Sequence, residues 1–180
     1  MATKLDKTWH LADNQDALPL TEFEFQLWRV FNGFIKWQED CHQYVHNQHL
    51  TGNELALLHV VRMKDRPKTI YELSRMFNRD DPNNIQYSLG KLVKMKLIEK
   101  VKDDSTKKSL SYQITHEGIK NTDAYQEARH DLLLNLFKKS DIRPEEIEQV
   151  AKLMNKIRGI YDDASWLAAS YRNDEKDYKK

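Results

Sequence analysis

Apolar residues recur at helical spacing through most of the chain and alternate over two short runs near its middle. Phe23, Leu27, Val30, Phe31, Phe34, Cys41 and Val45 follow one another mainly in steps of three and four, which predicts a helix from Thr21 to about Val45. Trp28, Ile35 and Trp37 widen its stripe, so more than one neighbour is needed to bury it. Thr21-Glu22-Phe23-Glu24 has the form of a capping box and sets the expected start. A second box, Thr51-Gly52-Asn53-Glu54, opens a short apolar helix, "ELALLHVVRM", which the Arg66-Pro67 step stops. "TIYELSRMF" predicts a third helix and "DDPNNIQYSLGKLVKMK" a fourth. "LIEKV" and "LSYQIT" then read as a β-hairpin around the polar tip "KDDSTKKS". After Thr115, an N-cap candidate, a helix is expected to about Lys139, and another, with Pro144 in its first turn, to about Tyr171. The polar "NDEKDYKK" is expected to be a flexible tail over 173–180.

The fourth helix carries the most specific pattern. Asp81 can cap it and Pro82 suits its first turn, where the missing amide would be unpaired anyway. Ile85, Leu89, Leu92 and Val93 fall on one face, and Asn83, Asn84, Tyr87, Gly90, Lys91 and Lys94 on the other. Amide and phenol groups suit base edges, and lysines suit phosphates. Gly90 would weaken a helix interior but permit close approach of another backbone. A polar, lysine-rich face is by itself often plain solvated surface. The order short helix, turn, second helix, basic hairpin changes that reading, because it is the order of a helix-turn-helix followed by a wing.

Net charge sharpens the picture only when divided along the chain. The total is +1, yet residues 66–108 hold 11 lysines and arginines against 6 acidic residues, which leaves the remainder at −4. A nucleic-acid footprint is local in this way. The single cysteine, Cys41, points to a reducing compartment, with the cytoplasm expected, and no stretch approaches the roughly 20 apolar residues that span a bilayer. With 5 glycines, no phosphate-binding glycine loop and no nucleophile motif, catalysis is not expected, nor is a cofactor.

The segment "ELALLHVVRMKDRPKTIYELSRMFNRDDPNNIQYSLGKLVKMKLIEKVKDDSTKKSLSYQITHEG", residues 54–118, resembles the winged helix-turn-helix core of MarR-type bacterial transcriptional regulators. "LHVV", "DDPNNIQYSLGKL" and "KLIEKV" are further similar to a branch that controls aromatic-acid catabolism. The resemblance implies a mainly α fold with a small β-hairpin wing, the winged helix-turn-helix being flanked by dimerisation helices. It implies an N-terminal arm and dimerisation helix over 1–50, a DNA-binding domain over 51–115 and C-terminal dimerisation helices over 116–172. The expected function is a homodimeric regulator, a repressor released by a small aromatic carboxylate, that binds a palindromic operator in double-stranded DNA. Thr69, Asn83, Asn84, Gln86, Tyr87, Lys91, Lys94, Lys107 and Lys108 are the expected DNA contacts. Two departures stand out: Thr106-Lys107-Lys108 replaces the family's Asp-Arg-Arg in the wing, and Lys96 stands where the family often has glycine.

Trp28, Phe31 and Trp37, with His59 and Arg62, could line a pocket for a flat anionic ligand, arginine pairing the carboxylate and indoles stacking. The plainer alternative makes the aromatics dimer core and Arg62 solvated surface. His42 and His46 stand at i and i+4, a spacing compatible with two imidazoles on one metal, with Cys41 and His49 nearby. No matching ligand pair is evident in a later helix, so no metal site is expected, and a zinc-sensing regulator is the alternative. Cys41 lies on the apolar stripe, which favours a packed, inert thiol over a redox switch. A winged-helix module that binds protein rather than DNA is the remaining alternative.

Overall fold

The computed structural model describes residues 9–77, 82–102 and 110–177. The chain divides into two units, Met1–Asp131 and Leu132–Lys180. In the first unit, α1 (Ala17–His46) precedes α2 (Gly52–Arg62), a 3-10 turn (Met63–Asp65), β1 (Lys68–Thr69), α3 (Ile70–Met76), α4 (Pro82–Lys94), β2 (Ile98–Lys102), β3 (Leu110–Ile114) and α5 (His116–Ala128). A π-helical turn, Arg129–Leu134, leads to α6 (Asn135–Lys139), and α7 (Pro144–Asp177) follows.

Two of the expected helix starts are made as read. Thr51 Oγ1 accepts from the Glu54 amide while Glu54 Oε2 accepts from the Thr51 amide at 2.8 Å, so two orphan donors of α2 are satisfied reciprocally. Thr115 Oγ1 likewise accepts from the Gly118 amide at the head of α5. The box at Thr21 is not formed. The first helix begins a turn earlier, at Ala17, whose amide donates to Asn14 Oδ1 at 2.8 Å. Thr21 is buried inside the helix and its hydroxyl donates to Leu11 O at 2.6 Å, tying down the segment before α1.

The core lies where α2, α3 and α4 meet the sheet. Leu55, Leu58, Leu73, Leu89 and Leu92 are fully buried there, and Ile98, Tyr112 and Ile114 close it from the strands. Each such side chain contributes about 2 kcal/mol by leaving water. Besides the expected hairpin, β1 adds a third strand, in the order β1-β3-β2, with Lys68 opposite Tyr112 and Thr69 opposite Ser111. Two residues are too few to show an alternation, which is why the strand is silent in the sequence.

At the end of α4, the Leu97 amide donates to Leu92 O and the Lys96 amide to Val93 O, a Schellman closure. It puts Lys96 at φ 60°, in the left-handed region where glycine is favoured. The departure noted at this position is therefore an actual strain in the backbone. The last helix continues to Asp177, beyond the expected end at Tyr171 and into the segment expected to be a flexible tail.

Candidate nucleic-acid interface

The face of α4 turned from the core holds Asn84, Gln86, Tyr87, Gly90 and Lys94, all exposed, with Tyr87 at 77%. Ile85, Leu89 and Leu92 hold the opposite face in the core, so the helix is seated by its apolar side and offers amide, phenol and ammonium groups outward. Lys100 and Lys102 of β2 add exposed cations beyond it. The side chain of Asn83, and Lys107 and Lys108 at the hairpin tip, lie outside the described residues.

Three cations of the basic segment are otherwise engaged. Lys68 is buried, and its Nζ donates to the carbonyls of Val61 at 2.9 Å, Arg66 at 3.0 Å and Met63, closing the C-terminal end of α2. Burial pushes its ammonium below the usual lysine range. Arg66 pairs with Glu72 Oε1 at 2.7 Å. Lys91, expected to contact DNA from the face turned away from the core, donates to Glu54 Oε2 at 2.7 Å. Thr69 is occupied as well: its hydroxyl accepts from the Glu72 amide and its own amide donates to Glu72 Oε2, a capping box at the head of α3. The charge of the segment is thus less available than its count implies, and besides the paired Arg66 its exposed described cations are Arg75, Lys94, Lys96, Lys100 and Lys102.

The five residues expected to line a ligand pocket do not come together. His59 and Arg62 open onto a groove of about 630 Å³, whose wall includes Phe34, Val60, Met63, Tyr125 and Arg129. Trp28 and Phe31 lie outside its lining and are more than half exposed, and Trp37 packs with Cys41, Tyr125 and Ala128. Arg62 is not solvated surface either: it pairs with Asp123 at 2.6 Å and donates to Thr122 Oγ1 at 2.5 Å, linking α2 to α5. Burial, with Arg62 and His42 adding to it, lowers His59 to about 4, so that its imidazole is neutral near pH 7. The sequence reading missed Phe34, Tyr125 and Arg129 as groove residues. Tyr125 and Arg129 stand at i and i+4 after the Thr115 cap, a signal that could have placed them on one face.

The histidine pair has structural work. His42 is fully buried; its Nδ1 donates to Gln48 O at 3.2 Å and its Nε2 accepts from Asn121 Nδ2 at 3.4 Å. His46 Nε2 donates to Asn121 O at 2.9 Å, so both rings clip α1 to α5 at one asparagine. Among the described residues, no group of three or more His, Cys, Asp or Glu side chains could hold a metal ion. Cys41 is buried and desolvation pushes its thiol up, away from the reactive thiolate. No described helix is long and apolar enough to cross a membrane.

A seated helix with a polar outer face, followed by a strand pair, is the arrangement that known proteins share with this chain. Residues 50–118 match the family model of the winged helix DNA-binding domain. No curated protein matches the chain. Among solved structures, it is similar to Staphylococcus aureus MarR in complex with salicylate and kanamycin, with a TM-score of 0.64 and 18% identity over 81% of this chain and 93% of that one. The transcriptional regulator BldR from Sulfolobus solfataricus gives 0.62 at 19% identity, over 81% and 99%. Streptococcus pneumoniae FabT in complex with DNA gives 0.62 at 14% identity, over 80% and 98%. At such identities the likeness is one of fold, and it extends beyond the winged helix to most of the chain.

Proposed function

We propose that this protein is a MarR-type transcriptional regulator that binds DNA as a homodimer, a repressor released by a small aromatic carboxylate. The outward face of α4 carries the reading: Asn84, Gln86 and Tyr87 would meet base edges and Lys94 a phosphate. The winged helix match over 50–118 and the fold likeness to FabT, solved with DNA, support it. A two-fold dimer would set two such helices about 34 Å apart, one turn of DNA, and favour a palindromic site. The exposed apolar faces of α1 (Trp28, Val30, Phe31) and of α7 (Val150, Leu153, Trp166) supply surface for a second copy.

The groove beside His59 is the effector site in this reading. Phe34, Val60, Met63 and Tyr125 offer apolar wall to a ring, and Arg129 a guanidinium with no ion pair among the described residues. Arg62 already holds Asp123, so a carboxylate at Arg62 would have to displace that partner. Displacement would loosen the link between α2 and α5, shifting the population toward a spacing of the recognition helices that no longer fits the operator. The likeness to MarR solved with salicylate agrees with an aromatic acid.

Two measurements test this. Binding to duplexes selected by the protein from a random library should weaken steeply with salt, as counterion release requires; binding to protein partners alone, without that slope, would make it a winged-helix interaction module. Thermal melting with hydroxybenzoates, indole-3-acetate, zinc or an organic peroxide should show a raised midpoint with an aromatic acid, and that compound should release DNA. Arg129→Ala and Arg62→Ala should blunt the shift. Stabilisation by zinc alone, lost in His42→Ala, would replace the aromatic effector with a metal.

A further inference from the structure

Lys91 belongs to the helix that the DNA-binding reading sets in the groove, yet its ammonium points home. Nζ donates to Glu54 Oε2 at 2.7 Å and approaches His49 O at 3.4 Å. The Glu54 side chain is only 6% exposed, and the same oxygen accepts the Thr51 amide that closes the capping box of α2. The next amide, that of Gly52, donates to Glu39 Oε1 of α1 at 2.7 Å. Gly52 also lets α1 come close, since a Cβ there would lie 2.7 Å from Ile35 Cδ1. Three helices therefore meet at one corner: α1 through Glu39, α2 through Thr51 and Glu54, α4 through Lys91.

Burial alone would push the Glu54 carboxyl up, but the donors Lys91 and Thr51 hold it below its usual range, so it stays ionised. If Lys91 swung out to a phosphate, it would leave that buried charge unpaired, which is strongly unfavourable. Lys94, one turn nearer the C-terminus, is exposed and has no such partner among the described residues. We infer that Lys91 is a positioning residue whose ion pair with Glu54 fixes the pitch of the recognition helix against the α1–α2 corner, while its charge is not spent on DNA. The inference rests on the DNA-binding reading of α4 and assigns this one lysine a different part in it.

The sign of one substitution separates positioning from plain electrostatics. Glu54→Gln removes a negative charge near DNA, so charge alone makes binding tighter, whereas positioning makes it weaker. On library-selected duplexes, Lys91→Met and Glu54→Gln should each weaken binding by about tenfold with the wild-type salt slope, and Lys94→Met should lower the slope by about one unit. The double variant Lys91→Met/Glu54→Gln should fall within about twofold of the weaker single one, because both break the same link. Lys91→Arg should stay within about threefold of wild type, since arginine can still pair with the carboxylate. A slope lowered by a unit in Lys91→Met, or tighter binding by Glu54→Gln, would make Lys91 a phosphate contact and overturn the inference. Should Glu54→Gln fail to fold by circular dichroism, the slopes of Lys91→Met and Lys91→Arg decide alone. Wild-type protein without salt-dependent binding would instead sink the DNA-binding reading itself.

Discussion

The winged core and the long terminal helices solve the problem of apolar surface in opposite ways. Between Leu50 and Ile114, leucines from three helices and side chains from the sheet bury one another almost completely. On α1, by contrast, Trp28 is 60% and Val30 64% exposed, and on α7 Ile160 and Trp166 are 66% and 69% exposed. A chain rarely leaves contiguous aromatic faces in water unless something covers them. The same helical periodicity thus marks an internal core in one region and an exposed apolar face in the other, which the proposed function assigns to a second copy, and periodicity alone does not distinguish them. Glu54 and Lys91 show that polar residues divide likewise, since these two complete the core by pairing while Asn84, Tyr87 and Lys94 on the helix of Lys91 stay exposed.

The contrast can be broken first at α1. Trp28→Glu with Phe31→Glu places two charges on the exposed face and should weaken self-association by about 4 kcal/mol, roughly a thousandfold, as sedimentation would measure. Unchanged association would mean that this face is not what a second copy covers. In the core, Gly118→Ala is the sharpest probe: a Cβ would stand 2.0 Å from the carbonyl oxygen of Leu97 and 2.6 Å from Ile114 Cδ1. The backbone cannot yield as a side-chain tip can, so denaturant titration should show a loss of about 3 kcal/mol. Association at a fixed fraction of folded protein should be untouched.

Legibility in the sequence follows the range of the interactions. Thr51 and Thr115 were readable because a cap is settled within three residues. Thr21 carries the same signature, but its hydroxyl is taken by Leu11 O, 10 residues away, and the helix starts upstream. Lys91 looked like a free phosphate ligand because its partner, Glu54, stands 37 residues earlier. Lys68 counted toward a basic footprint although carbonyls at the end of α2 enclose it. Of the residues expected to line a pocket, His59 and Arg62 border the groove, while the place of Arg129 beside them required knowledge of how α5 lies against α2.

A pH titration probes the seam between α2 and α5. His59 titrates near 4 in the folded chain against about 6.5 when unfolded, because burial and the nearby Arg62 disfavour its charged form. Its folded pKa is depressed, so its contribution is constant above pH 6.5, where both states are neutral. Below that, the unfolded chain takes up the proton first, and stability falls until pH reaches about 4. We expect a loss of about 2 kcal/mol across this window that His59→Gln removes, followed by chemical denaturation at pH 7, 5.5 and 4.5. An identical pH profile in the variant would place the acid sensitivity at another group, with buried His42, also shifted down by burial, the next to replace.

The smallest effects give the finest test of the division between self-satisfied and partner-facing positions, because two residues of α4 and its exit depart from backbone preferences. Lys96 holds φ 60° without a glycine, and Gly90 sits in mid-helix where an added Cβ would meet nothing within 4 Å. Among the described residues, no other backbone approaches Gly90 as its expected role would require. Lys96→Gly and Gly90→Ala should each stabilise the fold by about 1 kcal/mol, the first by relieving left-handed strain and the second by restoring helix propensity. Their effects on DNA should part. Lys96→Gly should bind nearly as wild type. Gly90 shares the outward face with Asn84, Tyr87 and Lys94, so Gly90→Ala should lose several-fold in affinity even as it gains stability, if that face lies against DNA closely enough to need the missing methyl. A Gly90→Ala protein that is both more stable and fully active would show the glycine to be a cost without a use, and would move the close contact to another turn of the helix.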